Sequence, residues 1–119
     1  MLLIETIRKL AEENPEAVYS VSDIDFDNCQ YTRGVCGPGS GCIVGQAIAQ
    51  LYPDKIPKMV AQDNRGPIGA AALFDDLDIE YKRKEIRWIN TVQARQDVGH
   101  PWLDAIKLAD NCHQVLELS

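Results

Sequence analysis

The sequence predicts a mainly α-helical protein whose single domain spans residues 1–119. The chain has the length of one domain, and its 45% apolar and 25% charged residues are an ordinary globular balance. Apolar residues recur at helical spacing in four long segments that are separated by Pro, Gly and Asn. Alternation typical of strands is confined to one short stretch. We therefore expect four main helices, two or three short ones and a small β-hairpin near residues 21–36.

The first helix is predicted over residues 2–13. Leu3, Ile7 and Leu10 fall on one stripe, and charged residues take the opposite side. Asn14-Pro15 ends this helix, because a proline disfavours the helical conformation of the residue before it.

The hairpin is predicted from the residues that follow. Apolar residues alternate loosely with polar ones on both sides of Arg33-Gly34, where the chain can turn. The glycine-rich stretch at 37–41 then predicts irregular structure.

A central helix is predicted over residues 42–52. This segment carries almost no charge, and a helix that is apolar on most faces is normally buried. Gly45 would allow a neighbouring element to approach closely, and Pro53 ends the helix. Residues 54–80 predict two short helices around a break at 64–67.

Two longer helices are predicted to complete the chain, over residues 79–98 and 101–117. Asp78 suits the N-cap of the first of these helices. Gly99 suits a left-handed C-terminal cap, and Pro101 suits the first position of the last helix.

The charge balance disfavours nucleic acid as the main partner. The chain has 12 basic and 18 acidic residues, a net charge of −6, which repels phosphates. No apolar run approaches the roughly 20 residues of a spanning helix, and no export signal is present, so we expect no membrane partner. The expected compartment is cytosolic, where the four cysteines would stay reduced.

Three segments carry a resemblance to known proteins. They are Glu13-Asn14-Pro15-Glu16-Ala17-Val18-Tyr19, Gly41-Cys42-Ile43-Val44-Gly45-Gln46-Ala47-Ile48 and Gln96-Asp97-Val98-Gly99-His100-Pro101-Trp102-Leu103-Asp104-Ala105. In this order they resemble a group of small proteins that phages of actinobacteria encode. The resemblance implies a phage origin and a location in the host cytoplasm. It transfers no catalytic residue, because no activity is established for the group.

The cysteines could form a zinc site. Cys29, Cys36 and Cys42 lie close together in the sequence, and Cys112 or His113 could complete a tetrahedral set. However, six and five residues separate the first three cysteines, wider gaps than the close pairs of structural zinc sites. We therefore expect no metal and no cofactor.

A pocket could lie beside the glycine-rich loop. Cys42 begins a helix, whose N terminus lowers a thiol pKa, and His100 or His113 could act as a base. The other interpretation is a buried, inert thiol, with His100 as a cap between two helices. The candidate pocket residues are Gly39, Gly41, Cys42, Asp97, His100 and Trp102.

The inward stripe of the 79–98 helix turns polar at Gln93, Gln96 and Asp97. Such a change predicts either buried hydrogen bonds or a pocket. In the first case, Asp97 would hold the loop or cap the last helix by accepting backbone N–H groups.

A basic cluster is the candidate partner-binding site. Its residues are Lys82, Arg83, Arg87 and Trp88. Arg and Trp are common at binding hot spots, and cations beside aromatic rings also suit phosphates and bases. The alternative is a solvated helix face on which Glu80 and Lys84 form an i,i+4 pair.

These observations predict a small phage protein that acts by binding a host or phage protein. No strong catalytic signature is present, which argues against an enzyme, and the charge opposes bulk nucleic-acid binding. The alternative is a small-ligand or anion-binding protein, or a thiol enzyme, that uses the glycine-rich loop and Cys42. The sequence does not fix the oligomeric state.

Overall fold

Six α-helices dominate the part of the chain that the computed structural model describes, which is residues 2–18, 31–32, 35–36, 39–66 and 68–112. They are α1 (Leu2–Glu13), α2 (Ile43–Leu51), α3 (Ile56–Arg65), α4 (Ala70–Asp76), α5 (Arg83–Asp97) and α6 (Trp102–Cys112). A single 3₁₀ turn, Pro53–Lys55, joins α2 to α3. The prediction of a mainly α-helical protein is confirmed.

The hairpin expected over residues 21–36 is not supported. Residues 19–30 and 33–34 lie outside the described residues. The β-pairing that is described joins two-residue strands, β1 (Val35–Cys36) and β2 (Gly39–Ser40), in antiparallel register. The pairing partner of β1 thus lies in the glycine-rich stretch expected to be irregular. Loose alternation over a few residues is a weak signal, because a strand depends on its partner more than on its own sequence.

Helix α2 lies at the centre of the fold, as its uncharged sequence predicted. It contacts α1, α3 and α5, and α6 in turn packs along α5 and against α1. Ile43, Ala47 and Ile48 are completely buried. On α1, the buried residues include the predicted stripe of Leu3, Ile7 and Leu10.

Helix α5 begins four residues later than predicted because Asp78 ends α4 instead of capping α5. Asp78 has a φ of 57°, a left-handed conformation that Asp tolerates better than most residues. The N–H groups of Asp78 and Ile79 donate to the carbonyls of Asp75 and Phe74, at 3.3 and 2.9 Å. This is the Schellman pattern of a helix C terminus. Residues 79–82 therefore form a non-helical connection.

The other end of α5 has the predicted cap. Gly99 has a φ of 100°, and its N–H donates to the carbonyl of Gln96. The N–H of His100 donates to the carbonyl of Arg95 at 3.1 Å, which completes a second Schellman motif. Helix α6 starts at Trp102, and residues 113–117 of its predicted span lie outside the described residues.

One polar cluster joins α1, α5 and α6. The Arg8 guanidinium donates to both oxygens of the Asp110 carboxylate at 2.8 and 2.6 Å, and Trp88 Nε1 donates to Oδ1 at 2.9 Å. The guanidinium also lies 4.8 Å from the centre of the Trp88 ring, in cation–π geometry. Burial raises the pKa of Asp110, but the hydrogen bonds from Arg8 and Trp88 and the Arg8 charge outweigh it and hold this pKa below its usual value.

We expect Ile48→Ala to reduce the free energy of unfolding by about 2–5 kcal/mol, because it leaves a cavity in the middle of the core. Chemical denaturation followed by circular dichroism measures this loss. The matched control is Leu2→Ala, since Leu2 is exposed on α1. A loss well under 1 kcal/mol for Ile48→Ala would contradict the central position of α2.

We expect Asp110→Asn to destabilise the protein more at neutral pH than in acid. The folded-state pKa is below the ordinary 3.8, so the carboxylate stabilises the fold above about pH 5 and loses this effect as pH falls through the folded-state pKa. The difference in unfolding free energy between wild type and variant should therefore be smaller at about pH 2 than at about pH 7. Asp104→Asn, an exposed change on the same helix, is the control. A difference that stays constant with pH would refute this role of Asp110.

Candidate functional site

The glycine-rich region is packed against residues 31–32. Tyr31 is 1% exposed and crosses the first turn of α2. A Cβ atom added at Gly41 or Gly45 would lie 2.1 or 1.8 Å from the Tyr31 carbonyl oxygen. Gly41 also has a φ of 92°, which few other residues adopt. These two glycines therefore serve close backbone packing and leave no space for a ligand between α2 and Tyr31.

Hydrogen bonds from three directions fix the Tyr31 segment. The Tyr31 hydroxyl donates to the Ile68 carbonyl and accepts from Gln93 Nε2, both at 2.9 Å. The backbone N–H groups of Tyr31 and Thr32 donate to the Asp63 carboxylate at 3.1 and 2.8 Å. The segment thus connects α3, α5 and the start of α4.

Two N–H groups in the first turn of α2 have hydrogen-bond acceptors within the protein. The Ile43 N–H donates to Gln96 Oε1 on α5 at 2.8 Å, and the Gly45 N–H donates to the Cys42 sulfur at 3.5 Å. Gln96 is completely buried, and its Nε2 donates to the Asp97 carboxylate at 3.0 Å. The polar residues of the inward α5 stripe therefore form buried hydrogen bonds, the first of the two outcomes that their pattern predicted.

The six candidate pocket residues differ in their exposure. Gly41, Cys42 and Trp102 are buried, Gly39 belongs to β2, Asp97 is exposed and His100 is half-buried. The Cys42 thiol caps α2, so the geometry matches the buried and inert interpretation. His113, the other possible base, lies outside the described residues.

The start of α6 is held by the segment that follows α1. The N–H groups of Trp102 and Leu103 donate to the carbonyls of Ala17 and Pro15, at 2.8 and 3.2 Å. Backbone carbonyls therefore supply the cap that was one of the two roles expected of Asp97. Trp102 Nε1 is buried and has no hydrogen-bond acceptor within the described ranges.

No cluster of three or more His, Cys, Asp or Glu side chains among the described residues could hold a metal ion. Cys42 is buried at the start of α2, whereas Cys112 is exposed at the end of α6. Cys29 lies outside the described residues.

Trp88 does not belong to the surface that we expected it to anchor. It is completely buried, and its indole N–H donates a hydrogen bond to Asp110. The cations around it are exposed. Since Trp88 lies on the core side of α5, the surface retains only its charges. We call this surface the basic face, and it consists of Lys82, Arg83, Lys84 and Arg87.

The Glu80–Lys84 pair of the solvated-face interpretation is not formed. An i,i+4 pair needs both residues on one helix, and α5 starts only at Arg83. Within the described part of the chain, no cation of the basic face forms a salt bridge. Arg83 and Lys84 moreover occupy the first turn of α5, where the positive end of the helix dipole disfavours each cation by about 0.3–1 kcal/mol.

A groove of about 860 Å³ lies beside the basic face, between the end of α4 and the start of α5. Its apolar part is formed by Phe74, Ile79 and Tyr81, and the two aromatic rings meet edge to face with centroids 5.7 Å apart. Its carboxylates are those of Asp75, Asp78, Glu80 and Glu85. We call it the acidic groove. The sequence signal for it is the acidic run from Asp75 to Glu80.

Tyr81 and Asp75 interact across the acidic groove. The Tyr81 hydroxyl donates to the Asp75 carboxylate at 3.2 Å. Burial, this hydrogen bond and the negative charge of Asp75 all raise the pKa of Tyr81. The phenol therefore stays neutral at physiological pH and adds no charge to the groove.

Comparisons with family models, curated proteins and solved structures found no match for this chain. None of the described helices has both the length and the apolar character needed to cross a membrane. The geometry of the chain's own residues is therefore the basis for any functional proposal.

We expect Gly45→Ala to destabilise the protein by about 2–3 kcal/mol, although alanine normally stabilises a helix interior. The new methyl group would collide with the Tyr31 backbone, which must then move. Thermal and denaturant unfolding measure the change. Gly69→Ala is the control, because a Cβ there meets no atom within 4 Å, and only the modest loss of an N-cap glycine, under about 1 kcal/mol, is expected. Equal stability of Gly45→Ala and wild type would disprove the close contact.

Proposed function

We propose that this chain acts by binding another protein and that the basic face of α5 makes the contact. The observation that carries the proposal is the position of Arg83 and Lys84. Both are exposed in the first turn of α5, where a cation weakens the helix. Residues that oppose local stability without pairing to their surroundings are typical of functional surfaces.

The charge distribution favours a protein partner over nucleic acid. A phosphate backbone that reached the basic face would also meet the carboxylates of the acidic groove. It would be repelled as well by the net charge of −6. A protein surface can present acidic groups to α5 while keeping them away from the groove.

The buried thiol gives no support to the alternative of a thiol enzyme or anion-binding protein. Cys42 has no exposed surface, and its sulfur accepts the N–H of Gly45. The Ile43 N–H, which would hold an anion, is bound to Gln96. A substrate could reach these atoms only if the first turn of α2 separated from α5.

The resemblance to proteins of actinobacterial phages supports a phage-encoded protein that acts in the host cytoplasm. Its partner would then be a host or phage protein. Nothing in the resemblance assigns a residue to the contact, so the basic face rests on the geometry of α5 alone.

We expect Arg83→Glu combined with Arg87→Glu to abolish capture of the partner while leaving the melting temperature nearly unchanged. Exposed charges contribute little to folding, about 0–1 kcal/mol, and a carboxylate near the start of α5 suits the helix dipole. Tagged wild type and variant are incubated with lysate of actinobacterial cells that express the untagged chain. Captured proteins are identified by mass spectrometry.

The control is Lys9→Glu combined with Lys107→Glu, which changes the net charge by the same amount at exposed positions of α1 and α6. This variant should capture the same proteins as wild type. Equal capture by the Arg83/Arg87 variant would mean that the basic face does not bind the partner.

A further inference from the structure

Two surfaces of opposite charge meet at the start of α5. The basic face carries four cations, and the acidic groove next to it carries four carboxylates. Lys82 lies at their boundary, since it belongs to the basic face and also lines the groove. The two surfaces are thus nearly equal and opposite in charge, and they lie side by side.

We propose that the partner of the basic face is a second copy of this chain, bound with two-fold symmetry. Rotation about a two-fold axis places the basic face of each copy against the acidic groove of the other. Both contacts then form at once in one closed interface. This inference rests on the proposed function, because it assigns the partner of the same surface.

Charge complementarity selects a second copy over an unrelated protein. An unrelated partner that covered both surfaces would need an acidic and a basic surface side by side in the matching order. A second copy has this arrangement because its own basic face adjoins its own acidic groove at Lys82. The interface would bring guanidinium groups to carboxylates, the pairing with the best hydrogen-bond geometry among side chains.

The groove also limits how tightly two copies can bind. Phe74 and Ile79 are already buried in the monomer, so the half-buried ring of Tyr81 supplies most of the apolar contact. Two copies that are joined mainly by exposed charges associate rapidly but bind weakly. Their affinity falls steeply as salt is added. We therefore expect a reversible dimer that dissociates when salt is added.

Sedimentation velocity of the purified full-length chain tests the first part of the proposal. Samples between about 1 µM and about 1 mM are compared in about 0.01 M and about 1 M salt. The expected result is a concentration-dependent dimer at low salt that weakens at least about tenfold at high salt. A monomer at every concentration overturns the proposal, and so does a dimer insensitive to salt.

Charge reversal on each side tests the pairing itself. The first variant is Arg83→Glu with Arg87→Glu, and the second is Asp75→Lys with Glu80→Lys. Each alone should associate at least about tenfold more weakly than wild type. An equimolar mixture should restore dimers, because one native contact is regained and the reversed charges face each other in the second contact. Lys9→Glu with Lys107→Glu should dimerise like wild type.

Failure to restore dimers in the mixture, or wild-type association by either variant, overturns the proposal. Should the lysine variant lose its fold, Asp75→Asn with Glu80→Gln removes the same charges and should also weaken association. The lysate experiment separates this inference from the proposed function. A different protein captured through the basic face by a chain that remains monomeric would preserve the function and refute the second copy.

Discussion

The contact between the Tyr31 backbone and the first turn of α2 is the constraint on which the rest of the fold depends. Helix α2 is buried from Ile43 to Ile48, so every polar group at its start must be satisfied inside the protein. Gln96 accepts the Ile43 N–H, and the Cys42 sulfur accepts the Gly45 N–H. Gly41 and Gly45 leave room for the Tyr31 carbonyl to approach closely. The same contact fills the space in which a ligand could otherwise have bound.

Three parts of the chain that are far apart in sequence meet one another in the fold. The carbonyls of Pro15 and Ala17 cap the start of α6, and Gln96 at the end of α5 binds Ile43 at the start of α2. These hydrogen bonds join the segment after α1 to α6, and α5 to α2. The basic face and the acidic groove lie away from these contacts, at the start of α5.

Helical periodicity and residue preferences predicted the helices well, because the relevant signals are local. The stripe of α1, the burial of α2 and the cap at Gly99 each depend on a few neighbouring residues. Asp78 misled the prediction, since an aspartate suits both a helix start and a left-handed residue after a helix end. Trp88 could not be placed from sequence, because its burial depends on Asp110 and Arg8 from other helices. The groove combines an exposed acidic run with aromatic rings that only the fold brings together.

The proposed binding through the cations in the first turn of α5 would affect the lifetime of the protein. Anything that binds only the folded chain raises its apparent stability by mass action. A partner that neutralises Arg83 and Lys84 also removes their unfavourable interaction with the helix dipole. Covering this surface would therefore stabilise α5. If the proposed contact forms, unbound copies would unfold more often than bound copies and would be exposed to cellular proteases more often. The supply of partner would in this way set how much of the protein persists in a cell.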